Sequence, residues 1–221
     1  MAIGHRHAAA LAWFVASLGA TLGVTLGATG AAAGGPVLLT DQQLDSVTAG
    51  GLVMDVGGDA TAVGDDTLAE GSIVTRVVDR KKVTIGRGST TFSATAESQD
   101  GLAYATAGTY ADVEGADIVI TKTRKVSGNG ADDAAWSTET SRTRVIAIDI
   151  KGLDLRNGPI TIDKTKERST AARPASVQGN QTKLTADVQA RGVNTLASVD
   201  GSVLTTSGLS TVGASALTGA K

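Results

Sequence analysis

The 221-residue chain contains no cysteine, and its two histidines, His5 and His7, both fall within the first seven residues. Without cysteine there are no disulfides, thiolate metal sites or cysteine nucleophiles. Without histidine in the body of the chain, Ser-His-Asp and Cys-His catalysis are excluded, as are the usual zinc ligand sets. The sequence therefore predicts no enzyme, no cofactor and no metal site. Paired carboxylates are the one catalytic route left, and Glu114 with Asp117 and Asp132 with Asp133 fall in predicted turns.

Aromatic residues are equally scarce, at 3% of the chain; beyond residue 33 they are Phe92, Tyr104, Tyr110 and Trp136. Large aromatics dominate compact cores, so a thick globular core is not expected. Small and β-branched residues take their place and suit closely stacked sheets. Charge of one sign is also missing. Lys+Arg of 20 against Asp+Glu of 22 leaves a formal net charge of −2, and nucleic acid is not an expected partner.

The N-terminus carries an export pattern. Arg6 precedes an apolar, uncharged run over 8–27, and Ala31 and Ala33 offer a small-residue cleavage site before Gly34. This predicts a signal peptide over 1–33, with a signal helix, removed by the secretion machinery. The expected destination is the cell surface, extracellular space or periplasm of a Gram-negative bacterium, and the mature chain is not expected to be transmembrane.

Residues 34–51 form a separate unit. Thr40 and Gln43 fit a capping box, Leu44 and Val47 fall on one helical face, and Gly50 with Gly51 supplies a terminator. The spacing predicts one short helix over 40–48. The run LTDQQLDSVTAGG resembles the double-glycine leader motif of bacteriocin-like export substrates through Leu39, Thr40, Gln43, Leu44, Val47, Ala49 and Gly50. It is similar as well to an LTDxQLDxVTAG segment of exported proteobacterial proteins. The resemblance implies recognition by an exporter and processing after Gly50 or Gly51.

Residues 52–211 alternate with period two between turn signals, which predicts an all-β domain. Asp79-Arg80-Lys81-Lys82 reads as a hairpin tip; Gly88-Ser89, Asp100-Gly101, Ser127 to Gly130, and Asn157-Gly158 read as further breaks. Ile118 and Ile120 share one face of their strand, as do Ile146, Ile148 and Ile150. The expected architecture is an antiparallel, hairpin-rich extended sheet or sandwich, with an irregular β-solenoid as alternative and a flexible tail over 212–221.

Three segments, 59–69, 93–103 and 187–197, align without gaps. Ala62, Ala96 and Ala190 match, followed by Asp66, Asp100 and Asn194, then Leu68, Leu102 and Leu196, then Ala69, Ala103 and Ala197. Each copy reads as strand, Asx-type turn, strand, a weak internal repeat.

Two basic clusters, Arg80-Lys81-Lys82 and Lys122 with Arg124 and Lys125, suit anionic polysaccharide or lipid headgroups, or solvated strand edges that resist aggregation. The leading expectation is an exported structural or interaction protein that associates with itself through strand edges, or with a cell-surface component. The alternatives are a monomeric secreted binding module and a leader-bearing effector released after Gly50 or Gly51.

Overall fold

Threonine, valine and isoleucine in period-two runs favour extended backbone, because their branched side chains pack well on a pleated surface. The computed structural model describes residues 51–99, 101–131, 135–153, 155 and 158–220. The predicted signal peptide, the short helix and the leader-like residues up to Gly50 lie outside the described residues, as does Asp100.

Among the described residues the domain is all-β, with ten strands: β1 (Leu52–Val63), β2 (Asp66–Asp79), β3 (Val83–Ser98), β4 (Tyr104–Glu114), β5 (Ile118–Ala131), β6 (Ala135–Ile150), β7 (Ile160–Ser169), β8 (Asn180–Arg191), β9 (Thr195–Thr206) and β10 (Leu209–Ala220). They form two sheets, one four-stranded in the order β4-β1-β10-β9 and one six-stranded in the order β7-β5-β6-β3-β2-β8. The four-stranded sheet is antiparallel throughout, whereas β2–β8 and β5–β7 pair parallel. Among the described residues there is no helix long and apolar enough to cross a membrane.

The sheets pack face to face, and their alternate residues meet in one core. Leu52, Met54 and Val56 of β1 face Ile73 and Val77 of β2, Phe92 of β3 and Val145 of β6. Polar bonds stitch the layers as well: Thr67 Oγ1 meets Ser210 Oγ at 2.7 Å, and Thr109 Oγ1 meets Ser141 Oγ at 2.7 Å. Of the expected arrangements, two sheets packed as a sandwich are found and the solenoid is not, while the expected antiparallel pairing gives way to parallel at β2–β8 and β5–β7. A solenoid stacks successive coils side by side, whereas β2–β3, β5–β6 and β9–β10 are antiparallel hairpins.

Three sequence expectations are corrected. The expected flexible tail over 212–221 is, over its described residues 212–220, part of strand β10, held between β1 and β9 with Val212, Ala216 and Ala220 buried. Its small residues suit the thin core they enter. Gly88-Ser89 is no break, because β3 runs straight through it, and a Cβ on Gly88 would lie 2.7 Å from Val145 Cγ1. The Gly128–Gly130 stretch does not end β5 either; a Cβ on Gly130 would press on the Trp136 ring at 2.4–3.0 Å, so the glycines make room for it.

The two lateral margins of the sandwich differ. At one, β8 and β9 lie beside each other, and Thr182 Oγ1 meets Thr205 Oγ at 2.7 Å. At the other, β4 leans onto β6: Ala105 N donates to Ser137 Oγ at 3.1 Å and Ala107 N to Glu139 Oε1 at 2.8 Å. These bonds satisfy edge N–H groups that would otherwise be open to another strand. Beyond β6 the larger sheet overhangs, carrying β5 and then β7.

Candidate functional site

The overhang places three strands with a shared charge pattern side by side. Along β5 the residues facing away from the core are Ile118, Ile120, Lys122 and Arg124; along β7 they are Ile160, Ile162, Lys164 and Lys166. The two strands are parallel and in register, so Ile pairs with Ile and cation with cation. On the other side of β5, antiparallel β6 sets Arg144 opposite Lys122, Arg142 opposite Arg124, Ile146 opposite Ile120 and Ile148 opposite Ile118.

The result is a two-by-three array of cations, with Lys164–Lys122–Arg144 in one row and Lys166–Arg124–Arg142 in the next. On ordinary sheet spacings it spans about 10 Å across the strands and about 7 Å along them. All six residues are exposed, and together they line a shallow concavity of about 470 Å³. None of the six makes an ion pair among the described residues.

Like charges directly opposite on neighbouring strands weaken a sheet. Discouraging edge-to-edge aggregation explains Lys164 and Lys166, which sit on edge strand β7. It does not explain Arg142 and Arg144, because β6 has β5 on one side and β3 on the other.

Two aliphatic rows adjoin the array, Ile162–Ile120–Ile146 and Ile160–Ile118–Ile148, the second continued by Ile85 of β3. Ile160 is 53% exposed and Ile146 40%. At that end of the sheet the β2–β3 turn adds exposed Arg80, Lys81 and Lys82, closed by Arg80 N donating to Val83 O at 3.0 Å. The opposite end is covered. Residues 170–179 must pass between opposite sheet edges, from β7 to β8. Thr170 N donates to Ser127 O at 2.8 Å, Arg173 Nη2 lies 3.5 Å from Glu97 Oε2, and Gly179 N donates to Asp66 Oδ1 at 2.7 Å; Trp136, the cross-strand partner of Glu97, is buried.

Of the cations noted in the sequence, Lys122 and Arg124 enter the array, whereas Lys125 points to the other face and bridges Glu139 at 2.9 Å. That carboxylate raises the Lys125 pKa by direct hydrogen bonding. The sequence reading missed Arg142, Arg144, Lys164 and Lys166. A signal for them existed, since residues 118–124 read IVITKTR and residues 160–166 read ITIDKTK, with RTRVIAI over 142–148 as the reversed pattern.

The repeat residues serve a different purpose. All three copies sit where the chain leaves one sheet for the other, at β1–β2, β3–β4 and β8–β9. In the first, Ala62 closes β1 while Asp66, Leu68 and Ala69 open β2; in the third, Ala190 is in β8, Asn194 turns with φ 53°, and Leu196 and Ala197 open β9. The second copy departs from the strand–turn–strand expectation. Ala96 is in β3, but Leu102, 90% exposed, and Ala103 precede β4 in a longer corner. Asp65 ties the first two corners together by accepting from Ser98 Oγ and Gln99 N, both at 2.9 Å, and these bonds lower its pKa. Gly51, the first described residue, packs against Gly115 at the β4–β5 corner.

Comparison of the chain with protein-family models, curated proteins and solved structures finds no match.

Proposed function

We propose that the chain is an exported binding module of the cell surface or extracellular space, acting without chemistry, and that it holds an anionic ligand on the outer face of β7-β5-β6. The observation that carries this reading is the array of six cations in cross-strand register, two of them on an interior strand. An anionic ligand would relieve their mutual repulsion. The composition supports binding over catalysis, since neither histidine nor cysteine occurs beyond residue 7.

Titration with dextran sulfate, a soluble polyanion, tests the proposal. Each cation beside an anionic surface contributes roughly 1 kcal/mol, so Arg142→Gln/Arg144→Gln should weaken binding by roughly 30-fold. Raising the salt should weaken the wild-type protein in the same direction. Affinity that is unchanged in the double variant and insensitive to salt would overturn the reading.

Self-association through a strand edge is the second reading, and β7 is the observation that favours it. All ten of its residues are exposed and it packs on β5. Negative-stain microscopy after days at micromolar concentration distinguishes the two. Ordered filaments support self-assembly, and uniform small particles count against it.

A further inference from the structure

We infer that the anionic ligand is a lipid bilayer surface, and that the isoleucine rows beside the array enter its headgroup region. The inference rests on the anion-binding reading and adds the nature of the ligand. A soluble polyanion accounts for the cations but leaves the isoleucines without a role. These are large aliphatic side chains on an outer sheet face, while β5 and β6 send smaller residues toward the core. On β6 the inward positions are Thr143, Val145 and Ala147, and the outward ones are Ile146, Ile148 and Ile150. Burial of apolar surface normally runs the other way.

The arrangement of zones matches an interface. The isoleucine rows lie between the six-cation array and the Arg80-Lys81-Lys82 turn, so apolar side chains are flanked at both ends by positive charge. Anionic headgroups attract clustered Lys and Arg at the membrane surface, and apolar side chains seated between them add area-dependent binding. Nucleic acid would call instead for stacking aromatics amid the cations, and the facing positions of the array hold none. Among the described residues no strand lies beyond β7, so on that side no further strand stands between the outer face and a surface.

Site-specific environment-sensitive labelling tests this, and the cysteine-free chain makes single labelling clean. Ile162→Cys would carry the fluorophore on the proposed contact face; Leu204→Cys, exposed on the opposite side of the sandwich beside Thr211, is the control. With full-length protein and phosphatidylglycerol-containing vesicles, the label at 162 should shift to the blue and the label at 204 should not. Pure phosphatidylcholine vesicles should move neither. Ile160→Ser/Ile162→Ser should bind phosphatidylglycerol vesicles at least about tenfold more weakly, given roughly 0.8 kcal/mol per buried methylene, while holding dextran sulfate as the wild type does. Both positions lie on an edge strand facing solvent, so the fold is not at stake; an unchanged unfolding midpoint verifies this.

Vesicle binding with no shift at 162, or with equal shifts at 162 and 204, overturns the inference. So does a label at 162 that is already blue in solution, which would mean that the rows are covered without any lipid. Unaltered vesicle binding by the isoleucine double variant has the same meaning. In each of these cases retained dextran sulfate binding leaves the anion-binding reading standing, whereas its loss defeats both.

Discussion

Phe92 is the large aromatic of the sandwich core, and glycines make its seat. A Cβ on Gly71 would lie 2.7 Å from Phe92 Cε1, and one on Gly58 would lie 2.5 Å from Phe92 Cδ2. Aromatic poverty in the sequence pointed to a thin core, but the pairing of one bulky ring with glycines from β1 and β2 is a long-range fit that no local pattern announces. Gly71→Ala should therefore destabilise by about 1–3 kcal/mol through overpacking. In a Phe92→Leu background the same substitution should cost less, because the two sites share one space. Urea unfolding of the four proteins checks this, and strictly additive effects would contradict it.

A second residue-scale prediction concerns Asp55 and Asp112, which are cross-strand partners on the outer face of the smaller sheet. Burial raises the Asp55 pKa and the Asp112 charge adds to the rise, against the bond from Tyr110 Oη at 3.3 Å. A carboxyl whose folded pKa is raised favours the fold most at low pH, and that contribution is lost as pH climbs through the folded value. Asp112→Asn removes one repulsive partner. Thermal melts should show the variant more stable than wild type at neutral pH, by up to about 1 kcal/mol, and equal to it near pH ~3, where the Asp55 carboxyl, its pKa raised, is largely protonated. A gain of the same size at both pH values would refute the electrostatic cause.

At the scale of elements, tips and alternation were legible and boundaries inside glycine-rich stretches were not. The Asp79 to Lys82 tip closes as the residues suggested, with Thr84 Oγ1 donating to Asp79 Oδ1 at 2.8 Å and Lys151 Nζ meeting the same carboxylate at 2.7 Å. Gly88, Gly128 and Gly130 carry the same letter as a turn glycine. They stand in strands because neighbouring side chains need their missing Cβ. Residues 212–221 looked like a tail because Gly, Ala, Ser and Thr dominate loose segments as well as thin cores. Here β10 is hydrogen-bonded on both sides, to β1 and β9. A chain ending at Gly208 should accordingly lose cooperative unfolding, followed by circular dichroism in denaturant; a truncated protein that unfolds as sharply as the full chain would show β10 to be dispensable.

Alternation also hid which face looks inward. Ile146, Ile148 and Ile150 form the bulkier face of β6, yet Val145 and Ala147 are the residues that fit beneath the facing sheet. The isoleucines point to the outer face of the larger sheet, away from the smaller one.

For the molecule as a whole, a net charge of −2 masks a strongly divided surface. Strand β7 shows how: Lys164, Lys166 and Arg168 alternate with Asp163 and Glu167, so the cations share one face and the acids the other. A one-dimensional count cancels them, and the pleat separates them. The same cancellation made the basic clusters look like isolated solvated edges. Only the register of β5 with β6 and β7 brings cations from three distant stretches into one array.

Hydrogen exchange measured by mass spectrometry, with and without dextran sulfate, tests that central claim most directly. Bound polyanion should slow exchange in peptides covering β5, β6 and β7 and leave β9 and β10 unchanged. Protection centred on β9 and β10, or spread evenly over both sheets, would contradict the assignment of the outer face as the binding surface.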